Sequence, residues 1–215
     1  MNKRLEAELM RIAREKQTKS DPSHDFQHVL RVRNLAVRIA TAEKADLDIV
    51  IPAALFHDII VFRKDSPQSK SESDKSADLA EKILNGLKGF PRAKVASVVT
   101  CIRECSFSKG IIPESLESKI LQDADRLEAT GAISIMRTFS SGGQMNRQFY
   151  DADDPFCVRG AIAFRSDLDL FYRRLLVVGD GMHTATARKL ARRRTSFLEK
   201  FLEELRLELE ESDVL

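Results

Sequence analysis

The sequence predicts an all-α protein, and three observations carry that prediction. Apolar residues recur at steps of three and four along most of the chain, no stretch alternates apolar and polar residues as a half-buried strand would, and turn residues gather between the periodic stretches. Leu5, Leu9 and Ile12 open an N-terminal helix. Residues 25–44 form the second, with His28, Val32, Leu35 and Ile39 on one stripe. The third runs over about 48–60, with Pro52 placed in its first turn, where a missing N–H is tolerated. Residues 63–73, rich in Ser, Lys and Asp and containing Pro67, read as a polar loop. Helices follow at 74–87, closed by Gly86, Gly89 and Pro91, then at 92–105, 115–129 and 132–139. Residues 140–156, with Gly142, Gly143, Asp151, Asp153, Asp154 and Pro155, read as a long loop of the kind that often carries function. Two last helices cover 165–178 and 184–209.

At 215 residues and 43% hydrophobic composition, the chain is long enough for one domain with a sizeable core. A formal net charge of +2 excludes little. Three cysteines without a C-x-x-C pair suggest a reducing compartment. The N-terminal residues lack an apolar signal core and no apolar run approaches transmembrane length, so the expectation is a cytoplasmic protein without a membrane partner. The last helix crowds Arg188, Lys189, Arg192, Arg193 and Arg194 into its early turns. A solvated face offset by the later Glu199, Glu203, Glu204 and Glu208 is the preferred reading over a nucleic-acid patch. Its stripe, Leu190, Phe197, Leu198, Phe201, Leu202, Leu205 and Leu209, can pack on the chain's own core or on a second copy in a homodimer, so the oligomeric state stays open.

Four polar residues stand where apolar ones are expected. His28 shares the core stripe of the second helix. His57-Asp58 falls between Ala53-Ala54-Leu55-Phe56 and Ile59-Ile60-Val61, and Asp125 lies beside Leu121, Ala124 and Leu127. An unpaired ionised carboxylate in such surroundings costs several kcal/mol at least, so each needs a cation, a proton or donors. One cation bound by His28, His57, Asp58 and Asp125 satisfies all of them. Two imidazoles and two carboxylates suit Mn²⁺, Fe²⁺, Co²⁺, Ni²⁺ or Zn²⁺, with Mg²⁺ also admissible, and leave coordination positions open for chemistry. The alternative is four separately capped or salt-bridged core polar groups. Cys101 and Cys105, one helical turn apart among Val98, Val99 and Ile102, read as buried free thiols rather than ligands.

The order His28, His57-Asp58, Asp125 resembles the H…HD…D signature of the HD-domain metal-dependent phosphohydrolases. The segment from Ser23 through His24, Asp25 and His28 to Arg31 and Val32 is similar to the HDxxHxxRV opening of a bacterial and archaeal branch. Further matches are Ser106 to Gly110, Asp123 to Ala132, Arg137-Thr138-Phe139 with Gly142-Gly143, Phe171-Tyr172, and Asp180 to Thr184. The resemblance covers residues 23–205. It implies a single HD-type helical domain over residues 1–215, with a metal-binding core at about 23–130 and C-terminal helices at about 165–210 packed on it. It also implies one divalent metal and hydrolysis of phosphate esters or anhydrides. Nucleoside triphosphate pyrophosphohydrolysis is the branch's best precedent.

On that resemblance Asp58 is both ligand and catalytic group, while His24 and Asp25, on the same turn as His28, orient water or meet substrate. Their plainer readings are a surface imidazole and a helix N-cap. Lys109, Arg31, Arg63 and Arg126 are the candidate phosphate clamps, Lys109 foremost because its ammonium sits in a loop; Arg31 and Arg126 could instead hold neighbouring aspartates. His183 reads as a residue behind the ligands or on the surface. Two-metal relatives carry extra histidines where this chain has Arg103-Glu104-Cys105, which implies one metal. Many relatives also carry an acidic residue three places after the HD aspartate, where this chain has Val61; Glu72, Asp74 or Asp25 are substitutes. Alternatives to the pyrophosphohydrolase are a 5′-nucleotidase, a cyclic-nucleotide phosphodiesterase, and a metal-holding nucleotide sensor without turnover.

Overall fold

A computed structural model describes residues 1–17, 25–62, 66–106, 109–160 and 164–210. The regular elements among the described residues are all helices, with one isolated bridge between Gln148 and Ser166 and no strand. No helix among them is long and apolar enough to cross a membrane. Backbone contacts divide the chain into two compact units, Met1–Asp125 and Arg126–Leu215.

The first unit contains α1 (Lys3–Lys16), α2 (Phe26–Glu43), α3 (Leu47–Phe56), α4 (Glu72–Gly86), α5 (Val95–Cys105) and most of α6 (Leu116–Leu127). Each of the first three begins on a side chain that accepts a backbone N–H: Asn2 from Arg4, Asp25 from His28 and Asp46 from Asp48. Lys44 ends α2 in the left-handed region. From Val50 onward helix α3 is apolar on every side, and it packs against α1, α2 and α5; Val50, Ala53, Ala54, Leu55 and Phe56 are all buried. Helices α4 and α5 pack through Ala77, Ala80, Leu84, Val98 and Ile102.

Helix α3 is shorter than the sequence predicts. It starts one residue earlier and stops at Phe56, so Pro52 sits in its second turn, where the missing N–H deprives the carbonyl four residues back of its donor. The apolar run Ile59-Ile60-Val61 continues the hydrophobic pattern without continuing the helix. Of the region 63–73 read as a loop, residues 63–65 lie outside the described residues, Pro67–Ser71 form a 3₁₀ turn, and Glu72 and Ser73 already belong to α4.

The second unit contains α7 (Gly131–Gln144), α8 (Asp167–Leu170) and α9 (Ala185–Glu210). Leu168, Phe171, Leu175, Leu198 and Leu202 form its core, with Phe139 and Phe201 against Phe171. Two predicted boundaries fail here. Helix α7 runs through Gly142 and Gly143; a Cβ on Gly142 would lie 1.7 Å from the Asp167 carboxylate, so that glycine admits a close approach and does not end the helix. The helix predicted over 165–178 is one α turn that widens into a π turn at Phe171–Leu175, closed by Leu176 N–H to the Phe171 carbonyl at 2.9 Å.

Candidate metal centre

Three segments of the first unit bring their polar side chains to one point. His28, on the first turn of α2, is fully buried; its backbone N–H is held by Asp25 Oδ1 at 2.9 Å, so the cap that starts the helix also fixes the residue. His57 stands at the end of α3. The last carbonyls of a helix have no partner within it, and one of them, Ala54 O, lies 2.8 Å from His57 Nδ1. A carbonyl only accepts, so Nδ1 carries the hydrogen and Nε2 presents its lone pair.

That Nε2 lies 3.3 Å from His28 Nε2. Two nitrogens that share one cation at about 2.1 Å lie roughly 3.0–3.4 Å apart in octahedral or tetrahedral geometry. Asp58 Oδ2 is 3.4 Å from His28 Nε2 and 3.6 Å from His57 Nε2, and Asp125 Oδ1 is 3.6 Å and 3.9 Å from the same atoms. The candidate ligand atoms of His28, His57 and Asp125 all lie within 4.8 Å of one another. These three donors therefore fit a single divalent cation of the imidazole-and-carboxylate class, and Asp58 Oδ2 lies beside the two imidazole nitrogens. The imidazoles are closed off from solvent, whereas Asp58 and Asp125 keep 23% and 28% of their side chains exposed, so the group opens on its carboxylate side.

Thiols take no part in this donor set. Cys101 is buried with its sulfur accepting from the Ser118 hydroxyl, and burial pushes its thiol up to about 11, which keeps it protonated at neutral pH. Cys101, Cys105 and Cys157 are all buried, and none is in a disulfide.

The other predicted residues are placed as follows. Asp25 is the N-cap of α2. Arg31 is half-buried on α2. Lys109 donates to Asp74 Oδ1 at 2.7 Å and to the Arg103 carbonyl at 3.2 Å, which ties the segment after α5 back onto α4 and α5. Gln122 anchors the same segment by donating to the carbonyls of Glu104 and Ile111. Arg126, in the second unit, donates to the Gly181 carbonyl at 2.9 Å, with His183 Nε2 at 3.3 Å. His24 and Arg63 lie outside the described residues. Val61 is buried, and next to it Glu72 Oε1 accepts the Phe62 N–H at 2.7 Å.

Sequence reasoning did not single out the Ala54 carbonyl or Ser76, whose hydroxyl accepts the Ile60 N–H at 3.1 Å and lies 3.3 Å from the Ile60 carbonyl. A carbonyl leaves no mark in a sequence. Ser76 does, as a polar residue on the buried stripe that holds Ser73, Ala77, Ala80 and Leu84.

A family model for the HD domain matches residues 25–130. The uncharacterized protein YpgQ of Bacillus subtilis is 34% identical over 192 residues, which cover 87% of this chain and 85% of that protein. A crystal structure of B. subtilis YpgQ in complex with ADP has a TM-score of 0.71 and 29% identity, covering 97% of each chain. An HD-superfamily hydrolase from Bacillus thuringiensis has a TM-score of 0.71 and 28% identity, covering 95% of this chain and 96% of its own. A predicted HD-superfamily hydrolase from an uncultured Thermotogales bacterium has a TM-score of 0.63 and 32% identity, covering 94% of this chain and 92% of its own.

Proposed function

Because this chain belongs to the HD-domain family, we propose that it is a metal-dependent phosphohydrolase that cleaves nucleoside triphosphates to monophosphate and pyrophosphate. The observation that carries the reading is the convergence of His28 Nε2, His57 Nε2, Asp58 Oδ2 and Asp125 Oδ1 from three separate segments. In it these four residues hold one divalent transition metal. The relative bound to ADP supports a nucleotide as the substrate class. Relatives that match nearly end to end support residues 1–215 working as one functional domain. Buried cysteines held as thiols outside any disulfide support a cytoplasmic setting.

A bound divalent cation supplies Lewis acidity toward a phosphoryl oxygen and acidifies water. The protein's own groups supply the rest. His57 and His28 close the inner side of the site and exclude water there, because both rings are buried. Asp58 is proposed both as ligand and as the group that orients the attacking water from the open side. Asp25 fixes the turn that carries His28. Lys109 exchanges Asp74 for a phosphate oxygen when substrate arrives, with Arg31 and Arg126 as further anion contacts. The clamp residues give a polyphosphate more anchoring points than a monophosphate; water attack at the α-phosphorus then forms the new P–O bond, the α–β bridging P–O bond breaks, and pyrophosphate leaves beside the monophosphate.

The test is a panel of nucleoside mono-, di-, tri- and cyclic phosphates incubated with Mn²⁺- or Co²⁺-loaded protein, with products identified by phosphorus NMR. Monophosphate plus pyrophosphate from triphosphates is the expected result. Orthophosphate from a 5′-monophosphate at higher kcat/KM than any triphosphate would replace this reading with a nucleotidase, and tight binding without turnover would replace it with a sensor.

A further inference from the structure

The stretch that follows Asp58 is held from outside its own helix. Beyond Phe56 the backbone donors of Ile60 and Phe62 go to two side chains of α4, Ser76 Oγ at 3.1 Å and Glu72 Oε1 at 2.7 Å. The register is geometrically matched. Residues 72 and 76 are four apart on a helix, about 6 Å along its axis, and residues 60 and 62 are two apart, about 6.6 Å when extended. The pairs also run in opposite order, so 60 meets 76 and 62 meets 72, as two antiparallel segments would. Ser76 is fully buried beside Ala77 and Ala80, and both of its hydrogen bonds go to Ile60. A buried hydroxyl in such a place is costly unless it is bonded, which leaves the turn as what this serine serves.

We infer that Glu72 and Ser76 are positioning residues of the metal centre: together they staple residues 60–62 to α4 and thereby fix the turn from which Asp58 reaches the two imidazoles. The inference rests on the reading of His28, His57, Asp58 and Asp125 as ligands. In this role Glu72 acts through its reach and the acceptor oxygen it offers the Phe62 N–H.

Two conservative variants separate those properties. E72Q keeps the length and an acceptor for the Phe62 N–H while removing the charge; E72D keeps the charge and is one methylene short. Mn²⁺ binding, measured by calorimetry on the full chain, should stay near the parental affinity in E72Q and weaken roughly tenfold or more in E72D and S76A, the scale on which groups behind metal ligands act. Circular dichroism confirms that each variant is folded. Parental affinity in both E72D and S76A, or an E72Q as weak as E72D, would overturn the inference. Equal Mn²⁺ binding by the parent and His57→Ala would instead strike down the ligand assignment, and this inference with it, so the two failures are told apart.

Discussion

His57 donates its Nδ1–H to the carbonyl of Ala54 across 2.8 Å, and that bond decides which nitrogen of the ring faces His28. The early end of α3 supplies the free carbonyl. The termination of a helix and the tautomer of a candidate ligand are therefore one structural event.

If these residues share one cation, His57→Ala and Asp125→Ala should each empty the site while most helical signal remains. Elemental analysis of the purified variants checks this, and wild-type occupancy in both would refute it. Chelation should also lower the melting temperature of the parent, since a cation at a hundred times its Kd adds about 2.7 kcal/mol to the folded state. The His57→Ala protein should melt at the same temperature with and without chelator.

Lys109→Ala should reduce kcat/KM for triphosphates by at least about tenfold and leave the Kd for Mn²⁺ within about twofold. Its melting temperature should barely move, because the Lys109–Asp74 pair is half open to solvent and such pairs contribute about 0–1 kcal/mol. A variant that loses metal and turnover together would place Lys109 outside the role of substrate clamp.

Cys101→Ala should retain parental metal content, and so should Cys105→Ser. For Cys101 the pH dependence is also defined. Its folded thiol titrates at about 11, above its ordinary value of 9.0, because it is buried. A raised folded value means that the stabilisation is complete below the unfolded pKa and is lost as pH rises through the folded one. Urea melts of the parent should therefore show a stability decline between about pH 9 and pH 11, and Cys101→Ala should lack that component.

In the second unit, Asp169 is buried and receives Arg165 N–H at 2.7 Å, Ser166 N–H at 3.0 Å and the Arg159 guanidinium at 2.9 Å. Burial alone raises its carboxyl, but these donors outweigh it and hold the group below the usual aspartate range. Asp169→Asn should cost at least about 2 kcal/mol near neutral pH. With a lowered folded pKa the contribution is present above the unfolded value near 3.9 and fades as pH falls through the folded one, so parent and variant should converge in acid. A gap that widens below pH 4 would contradict the assigned partners.

The helical fold was legible because burial imposes a period, and His28 was visible as a polar intruder on the stripe of Val32, Leu35 and Ile39. The same reasoning brought His57 and Asp125 into view. It overran α3, because Ile59 and Val61 are as buried as helical residues but have their neighbours' N–H groups bound by α4, a tertiary fact. It cut α7 short at Phe139, because glycine reads as a breaker until the Asp167 carboxylate is seen lying against Gly142. It read one long helix over 165–178, because a π turn changes hydrogen bonding without erasing the apolar spacing of Leu168, Phe171 and Leu175. The partners of Lys109 and Arg126 depend on folded segments meeting, and charge alone names no partner.

The centre is closed behind its imidazoles and open in front of its carboxylates. Under the ligand assignment, entry and exit of an ion would therefore share the carboxylate side. A cation held there would be reached from solvent past Asp58 and Asp125, with His28 and His57 as the buried backing of the site. A site with two imidazoles would favour divalent ions at equilibrium in the first-row affinity order. What is retained through purification then reports affinity, and the ion that sustains fastest turnover has to be identified by reconstitution rather than by assay of the protein as isolated.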